Sequence, residues 1–168
     1  MIAFDASTLI LITKIGLLDL FLDHSRGSTV IPDEVHRECC GSKRSFDAMT
    51  IQKAVDASRI EVHSLKDSRL ASKLQDDFTL GRGEAEALAL ALERRTELVA
   101  IDDKHGIGAC KLLGLSFTTA LAILVRSREK HLLEKKDAIG KLELLARFGR
   151  YRGSIIRDAK SKLEGSHD

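Results

Sequence analysis

Leu98-Val99-Ala100-Ile101-Asp102-Asp103 is the stretch on which the fold turns. Four apolar residues run straight into two adjacent carboxylates. An uninterrupted, branched apolar run reads as a strand buried on both faces, as found in parallel sheets. The two acids then fall at its carboxyl end, the edge where open α/β sheets place ligands. Adjacent carboxylates repel, so the pair costs stability unless a cation, a hydrogen-bond donor or a base offsets it. The plainer reading is that one Asp caps a helix starting near Lys104 while the other faces water.

Working outward, a second junction of the same kind opens the chain. Ile2-Ala3-Phe4 ends at Asp5, and Ser7 or Thr8 can cap a helix through Leu9-Ile10-Leu11-Ile12. A break at Gly16 precedes a helical piece from Leu17 to Leu22. Thr29-Val30-Ile31 reads as a strand, and Pro32 opens a helix from Asp33 to Cys40. Gly41-Ser42-Lys43-Arg44 reads as a polar loop, with an amphipathic helix following to about Ala57. Ile60-Glu61-Val62-His63 alternates like an edge strand. Leu70 to Phe78 is weakly helical, and Leu80-Gly81-Arg82-Gly83 reads as a flexible loop before the helix that Glu84 begins. Beyond Asp103 come a helix from Ala109 to Leu113, a strand near Leu115-Phe117 and a helix from Thr119 to about Arg128. Leu133 to Phe148 and Ser154 to Leu163 close the chain as two helices. Strands alternating with helices imply βαβ units and a parallel sheet, an α/β fold.

The chain has 168 residues, enough for one full core. Its net charge of +2 hides an asymmetry: residues 126–163 carry 12 Lys/Arg against 5 Asp/Glu, whereas residues 1–125 carry 15 against 18. An acidic body joined to a basic end suits a metal site beside a phosphate-binding surface, and equally a solvated helical face. The basic residues there include Arg126, Arg128, Lys130, Lys135, Lys136, Arg147, Arg150, Arg152 and Arg157. With aromatics at 4%, few stacking platforms exist for single-stranded nucleic acid, so such a partner would be gripped through its phosphates. Cys39, Cys40 and Cys110 are odd in number and lack metal-knuckle spacing, which points to reduced thiols and a cytoplasmic location. No apolar run reaches membrane-spanning length, and the start lacks the basic region of a signal peptide.

Asp5 and Asp102 both follow strands of the parallel sheet and so project from one edge. Glu38 lies in the helix after the second strand. Glu84 reaches the same edge if the Leu80–Gly83 loop lies there. Glu86 is two residues from Glu84 and cannot share its helical face, so one of the two is the site acid. Clustered carboxylates call for a hard cation, and oxygen-only ligands select Mg²⁺ or Mn²⁺. Such an ion lowers the pKa of water and stabilises charge on a phosphate, which suggests phosphodiester hydrolysis. Ser7 would orient a carboxylate or bind the ion through water. Lys14, Arg82 and Lys104 are the basic residues nearest these acids in sequence and the candidates for contacting a substrate strand.

With these stretches in place, the sequence resembles the PIN-domain nucleases. The matching segments are residues 2–10, Val30-Ile31-Pro32 through Glu38, Leu80-Gly81-Arg82-Gly83-Glu84-Ala85-Glu86-Ala87-Leu88, Leu98 through Asp103 and Leu113-Gly114-Leu115. The Gly-Glu-Ala-Glu-Ala helix looks most like the prokaryotic branch related to VapBC-type toxin ribonucleases. The resemblance implies a three-layer α/β/α sandwich around a mostly parallel sheet of about five strands. It places a PIN-like catalytic domain at residues 1–125, C-terminal helices packed on or extending it at 126–163, and a tail at 164–168. It further implies a Mg²⁺- or Mn²⁺-dependent endoribonuclease, a toxin paired with a small antitoxin protein, and a homodimer. The family's acids carry over to Asp5, Glu38, Glu84 (with Glu86 the rival register) and Asp102, with Asp103 beside it and the hydroxyl at Ser7.

Two departures stand out. Lys104-His105-Gly106-Ile107-Gly108 lacks the basic residue that such proteins often carry a few places after the Asp pair, and Thr118-Thr119-Ala120 replaces a Gly-Thr. The first bears on substrate grip and favours an alternative, a weakly active or inactive PIN-fold module for binding or dimerisation; the second bears on the local turn. Other acid-rich α/β classes fit poorly. A haloacid-dehalogenase phosphatase needs an Asp where Ser7 stands, a receiver domain carries its acid pair early, and no phosphate-cradling Gly-Lys loop occurs. Nuclease action on structured DNA would call for a helical-arch insertion that so short a chain lacks.

Overall fold

A computed structural model describes residues 1–41 and 44–165. Ser42 and Lys43 of the expected Gly41–Arg44 loop, and the tail from Ser166, lie outside the described residues. Five parallel strands form one sheet in the order β3-β2-β1-β4-β5, with β1 Ile2–Phe4, β2 Thr29–Pro32, β3 Ile60–His63, β4 Leu98–Ala100 and β5 Phe117–Thr118. The first three strands step outward in one direction, and the chain then returns to lay β4 on the other side of β1. The topological switch point therefore lies between β1 and β4, where open α/β sheets bind their ligands.

Ten helices among the described residues complete the outer layers of a three-layer α/β/α sandwich. One face of the sheet, with Phe4, Ile31, Ile60 and Ala100, packs on α1 (Ala6–Lys14), α3 (Asp33–Cys40), α4 (Phe46–Asp56), α8 (Ala120–Glu129), α9 (Lys135–Phe148) and α10 (Gly153–Gly165). Leu18, at the start of α2 (Leu18–His24), belongs to the same core. The other face, with Ala3, Val30, Val99 and Ile101, packs on α5 (Ser68–Phe78), α6 (Arg82–Arg94) and α7 (Lys104–Leu113). Consecutive residues of each strand alternate between these two cores, which is why the central strands are apolar throughout. Among the described residues, no helix is long and apolar enough to cross a membrane. Cys39, Cys40 and Cys110 are buried and form no disulfide among the described residues.

The elements follow the sequence reading with four corrections. The helix read along the chain from Ala109 begins at Lys104, where the capping alternative put it, immediately after Asp103 caps it. Gly106 and Gly108 obscured its first turns, and Gly106 is small because a Cβ there would lie 2.8 Å from Ile101 Cγ1. The Leu80–Gly83 segment is not a loose loop. Leu80 is buried, and Arg82 and Gly83 already belong to α6. The weakly helical Leu70–Phe78 is the regular helix α5, started by Asp67 accepting from the Arg69 N–H. Finally, the fifth strand, read near Leu115-Phe117, is confined to Phe117–Thr118.

Candidate active site

Asp5 leaves β1 and caps α1. Its backbone N–H continues the ladder to the Ala100 carbonyl (3.0 Å). Its carboxylate is wholly buried, accepting from the Thr8 N–H (2.8 Å) and the Ser7 hydroxyl (2.7 Å). Burial pushes this carboxyl up from its ordinary value of 3.8 to about 7. Donors on Thr8 and Ser7 pull it down, and the negative charge of Asp102 pushes it further up. Burial first, then the Asp5 charge, also raises the Cys110 thiol beneath it to about 11.

Asp102 follows β4 on the neighbouring strand and is held from two sides. Its Oδ2 accepts from the Ala120 N–H at the start of α8 (2.8 Å), and its Oδ1 from the Tyr151 hydroxyl (2.5 Å). Burial, and then the charge of Asp102, keep the Tyr151 phenol protonated well above its ordinary range. Asp103 turns outward and caps α7 through the His105 N–H (2.7 Å) and the Gly106 N–H (3.3 Å). One Asp of the pair is thus a cap, as the plainer sequence reading had it, while the other lies beside Asp5.

Glu38 and Glu84 come together with Asp103. The Gly83 N–H in the first turn of α6 donates to Glu38 Oε1 (3.1 Å), so α6 begins at the carboxyl edge of the sheet. A Cβ at position 83 would sit 2.7 Å from that oxygen, so a larger residue there must push the Glu38 carboxylate aside. Glu84 folds back to accept from the Gly81 N–H (2.9 Å), the side-chain half of a capping box. Half-burial raises its carboxyl above the usual range. The Gly81 hydrogen bond opposes this, the charges of Asp103 and Glu38 reinforce it, and His105 opposes it. The thiol of Cys39, next to Glu38, lies 3.9 Å from the Ala6 carbonyl, which sets this turn of α3 against the first turn of α1.

The acids therefore gather as two neighbouring sets, Asp5 with Asp102 and Glu38 with Glu84 and Asp103, bridged by the adjacency of residues 102 and 103. Among the described residues, no three Asp, Glu, His or Cys side chains already converge as ligands for one metal ion. The available donors are nonetheless all oxygen, carboxylates and the Ser7 hydroxyl, the set that hard divalent cations prefer.

Other sequence candidates are placed elsewhere. Glu86 accepts from the Glu34 N–H (3.2 Å) and pairs with Arg82 (3.5 Å). Arg82 also approaches the buried Glu34 (3.4 Å), which Arg37 clasps with two of its nitrogens. These groups line a neighbouring groove with Ser64 and Ser68. Lys14 lies at the far end of α1 from Asp5, its ammonium over the Phe148 ring, so it does not reach the acids. Lys104 is exposed at the first position of α7. Arg128, in the basic stretch, is buried and donates to the Leu133 carbonyl (3.3 Å), which removes it from any surface.

Sequence reasoning missed Tyr151. It is the only tyrosine of the chain and sits between Arg150 and Arg152, inside a pair of glycines, in a sequence poor in aromatics. That isolation was the one available signal.

A family model described as a PIN domain matches residues 1–163, nearly the whole chain. No curated protein and no solved structure matches it. PIN domains are typically nucleases and usually use divalent metals. The parallel sheet in the order β3-β2-β1-β4-β5, the acids at its switch point and the match through α10 agree, and the chain belongs to the PIN-domain family.

Proposed function

We propose that the protein is a Mg²⁺- or Mn²⁺-dependent endoribonuclease that hydrolyses RNA phosphodiester bonds. The observation that carries this reading is the wholly buried Asp5 carboxylate lying beside Asp102 at the switch point. Two carboxylates in that position are costly by themselves, and a cation between them removes the cost. Asp5 and Asp102 would hold the ion, with Glu38, Glu84 and Asp103 extending the acidic floor. When bound, a divalent cation supplies charge neutralisation for the phosphate and acidifies water at the scissile bond. Ser7 fixes Asp5 by donating to Oδ2, and the Ala120 N–H fixes Asp102. Purified protein with Mn²⁺ is expected to cut single-stranded RNA, and Asp5→Asn to abolish the cleavage. Equal cutting by the variant would end the reading.

The same resemblance supports a toxin of a VapBC-type pair, a homodimer whose acidic edge a small antitoxin protein covers. Growth arrest on expression, relieved by the product of an adjacent reading frame, tests this. A second reading, a PIN-fold binding or dimerisation module, is favoured by one observation: protein donors already engage both oxygens of Asp102. Under it, calorimetric titration with Mn²⁺ would give no uptake that Asp102→Asn removes.

A further inference from the structure

Tyr151 is carried on the short link between α9 and α10, some fifty residues from the acid it touches. Both helices are anchored. Lys141 in α9 donates to the Ile15 and Gly16 carbonyls at the end of α1 (2.7 and 3.0 Å), while Ala159 and Leu163 of α10 are buried in the first core. The Tyr151 ring is half-buried against that core and folds back over Gly149, where a Cβ would lie 2.8 Å from ring atom Cδ2. Position 149 is therefore open to glycine alone while the ring stays where it is. From there the phenol hydroxyl reaches Asp102 Oδ1.

With the Ala120 N–H on Oδ2, two donors from different elements fix the Asp102 carboxylate in one orientation. Each carboxylate oxygen has two lone pairs, so one donor on each leaves capacity for a cation. Carboxylates that bind metal are commonly oriented by such outer hydrogen bonds, and losing one typically weakens metal binding about 10–100-fold. We propose that Tyr151 is a positioning residue of the acidic site, aiming Asp102 at a divalent cation, so that the α9–α10 link is part of the site. The inference rests on the metal-dependent reading above and assigns a role that reading does not need.

The chain has one tyrosine and no tryptophan, so its tyrosine emission reports on this contact alone. The experiment titrates Mg²⁺ into the full chain by calorimetry and by tyrosine fluorescence. In the wild type, emission is expected to change saturably with the midpoint found by calorimetry, and Asp102→Asn to remove both signals. Tyr151→Phe is expected to weaken calorimetric Mg²⁺ binding about 10–100-fold. Gly149→Ala, which keeps the phenol but displaces it, is expected to act in the same direction. Wild-type binding with no emission change would overturn the inference, as would Tyr151→Phe binding as tightly as the wild type. Tighter binding by that variant would also overturn it, identifying the phenol as a plug. Those outcomes leave the metal-dependent reading standing, whereas no Mg²⁺ or Mn²⁺ uptake by the wild type refutes both.

Discussion

Asp5→Asn should make the metal-free protein more stable, and the size of the gain follows from the burial of one carboxyl. The folded state holds the Asp5 proton up to about pH 7, whereas the unfolded chain releases it near the ordinary value of 3.8. At about 1.4 kcal/mol per pH unit, that difference is about 4 kcal/mol. The folded state binds more protons than the unfolded state between these values, so stability falls as pH rises. The contribution of Asp5 is fully present below about pH 4, declines through the interval and is gone above about pH 7. Asparagine removes the charge and keeps the cap. Its amide oxygen can accept from the Thr8 N–H, its amide nitrogen can donate to the Ser7 hydroxyl, and Asn caps helices as well as Asp does. Denaturant melts in chelator should therefore show no difference between the proteins near pH 4. At pH 8 the variant should lead by about 4 kcal/mol, or roughly 10 °C in Tm for a chain of this size. Added Mn²⁺ should narrow the gap, because only the wild type gains from binding. A variant no more stable at pH 8, or an advantage that does not shrink toward pH 4, would refute the reasoning.

Gly83→Ala places a methyl against the Glu38 carboxylate, the movable end of a long side chain, within a helix that prefers alanine by up to about 1 kcal/mol. Stability should hold or rise while RNA cleavage falls, and unchanged cleavage would remove Glu38 from the site. Glu84→Gln should abolish cleavage, whereas Glu86→Gln should cut RNA normally and lose about 1 kcal/mol in urea melts, since Glu86 serves the Glu34 N–H and Arg82. The reverse pattern would exchange their roles. Gly106→Ala drives a methyl into Ile101 and should cost about 1–3 kcal/mol in the same melts. No loss would mean that α7 does not pack on Ile101 as described.

The sequence made the sheet and its acid-bearing edge legible because apolar runs ending in Asp5 and Asp102-Asp103 are local patterns. It also identified the PIN family and brought Glu38 and Glu84 into consideration. What it left unread depends on contacts between distant elements. Gly106 and Gly108 break the apolar pattern of α7, so only the Asp cap signals its start in the sequence, and the Ile101 side chain filling the space beside Gly106 is not readable there. Glu34, four residues before Glu38, is a buried anchor for Arg37 and Arg82, which no local pattern announces. Lys14 is near Asp5 in sequence and a helix length away in space. Tyr151 reaches Asp102 across 49 residues, a pairing no local pattern encodes.

The central claim is that Asp5 and Asp102 share a divalent cation. Anomalous diffraction from a Mn²⁺-soaked crystal tests it most directly. The account predicts a manganese peak within coordination distance of carboxylate oxygens from both residues, absent from Asp102→Asn crystals. A fully soaked crystal with no peak there, or with manganese bound only elsewhere, would contradict it.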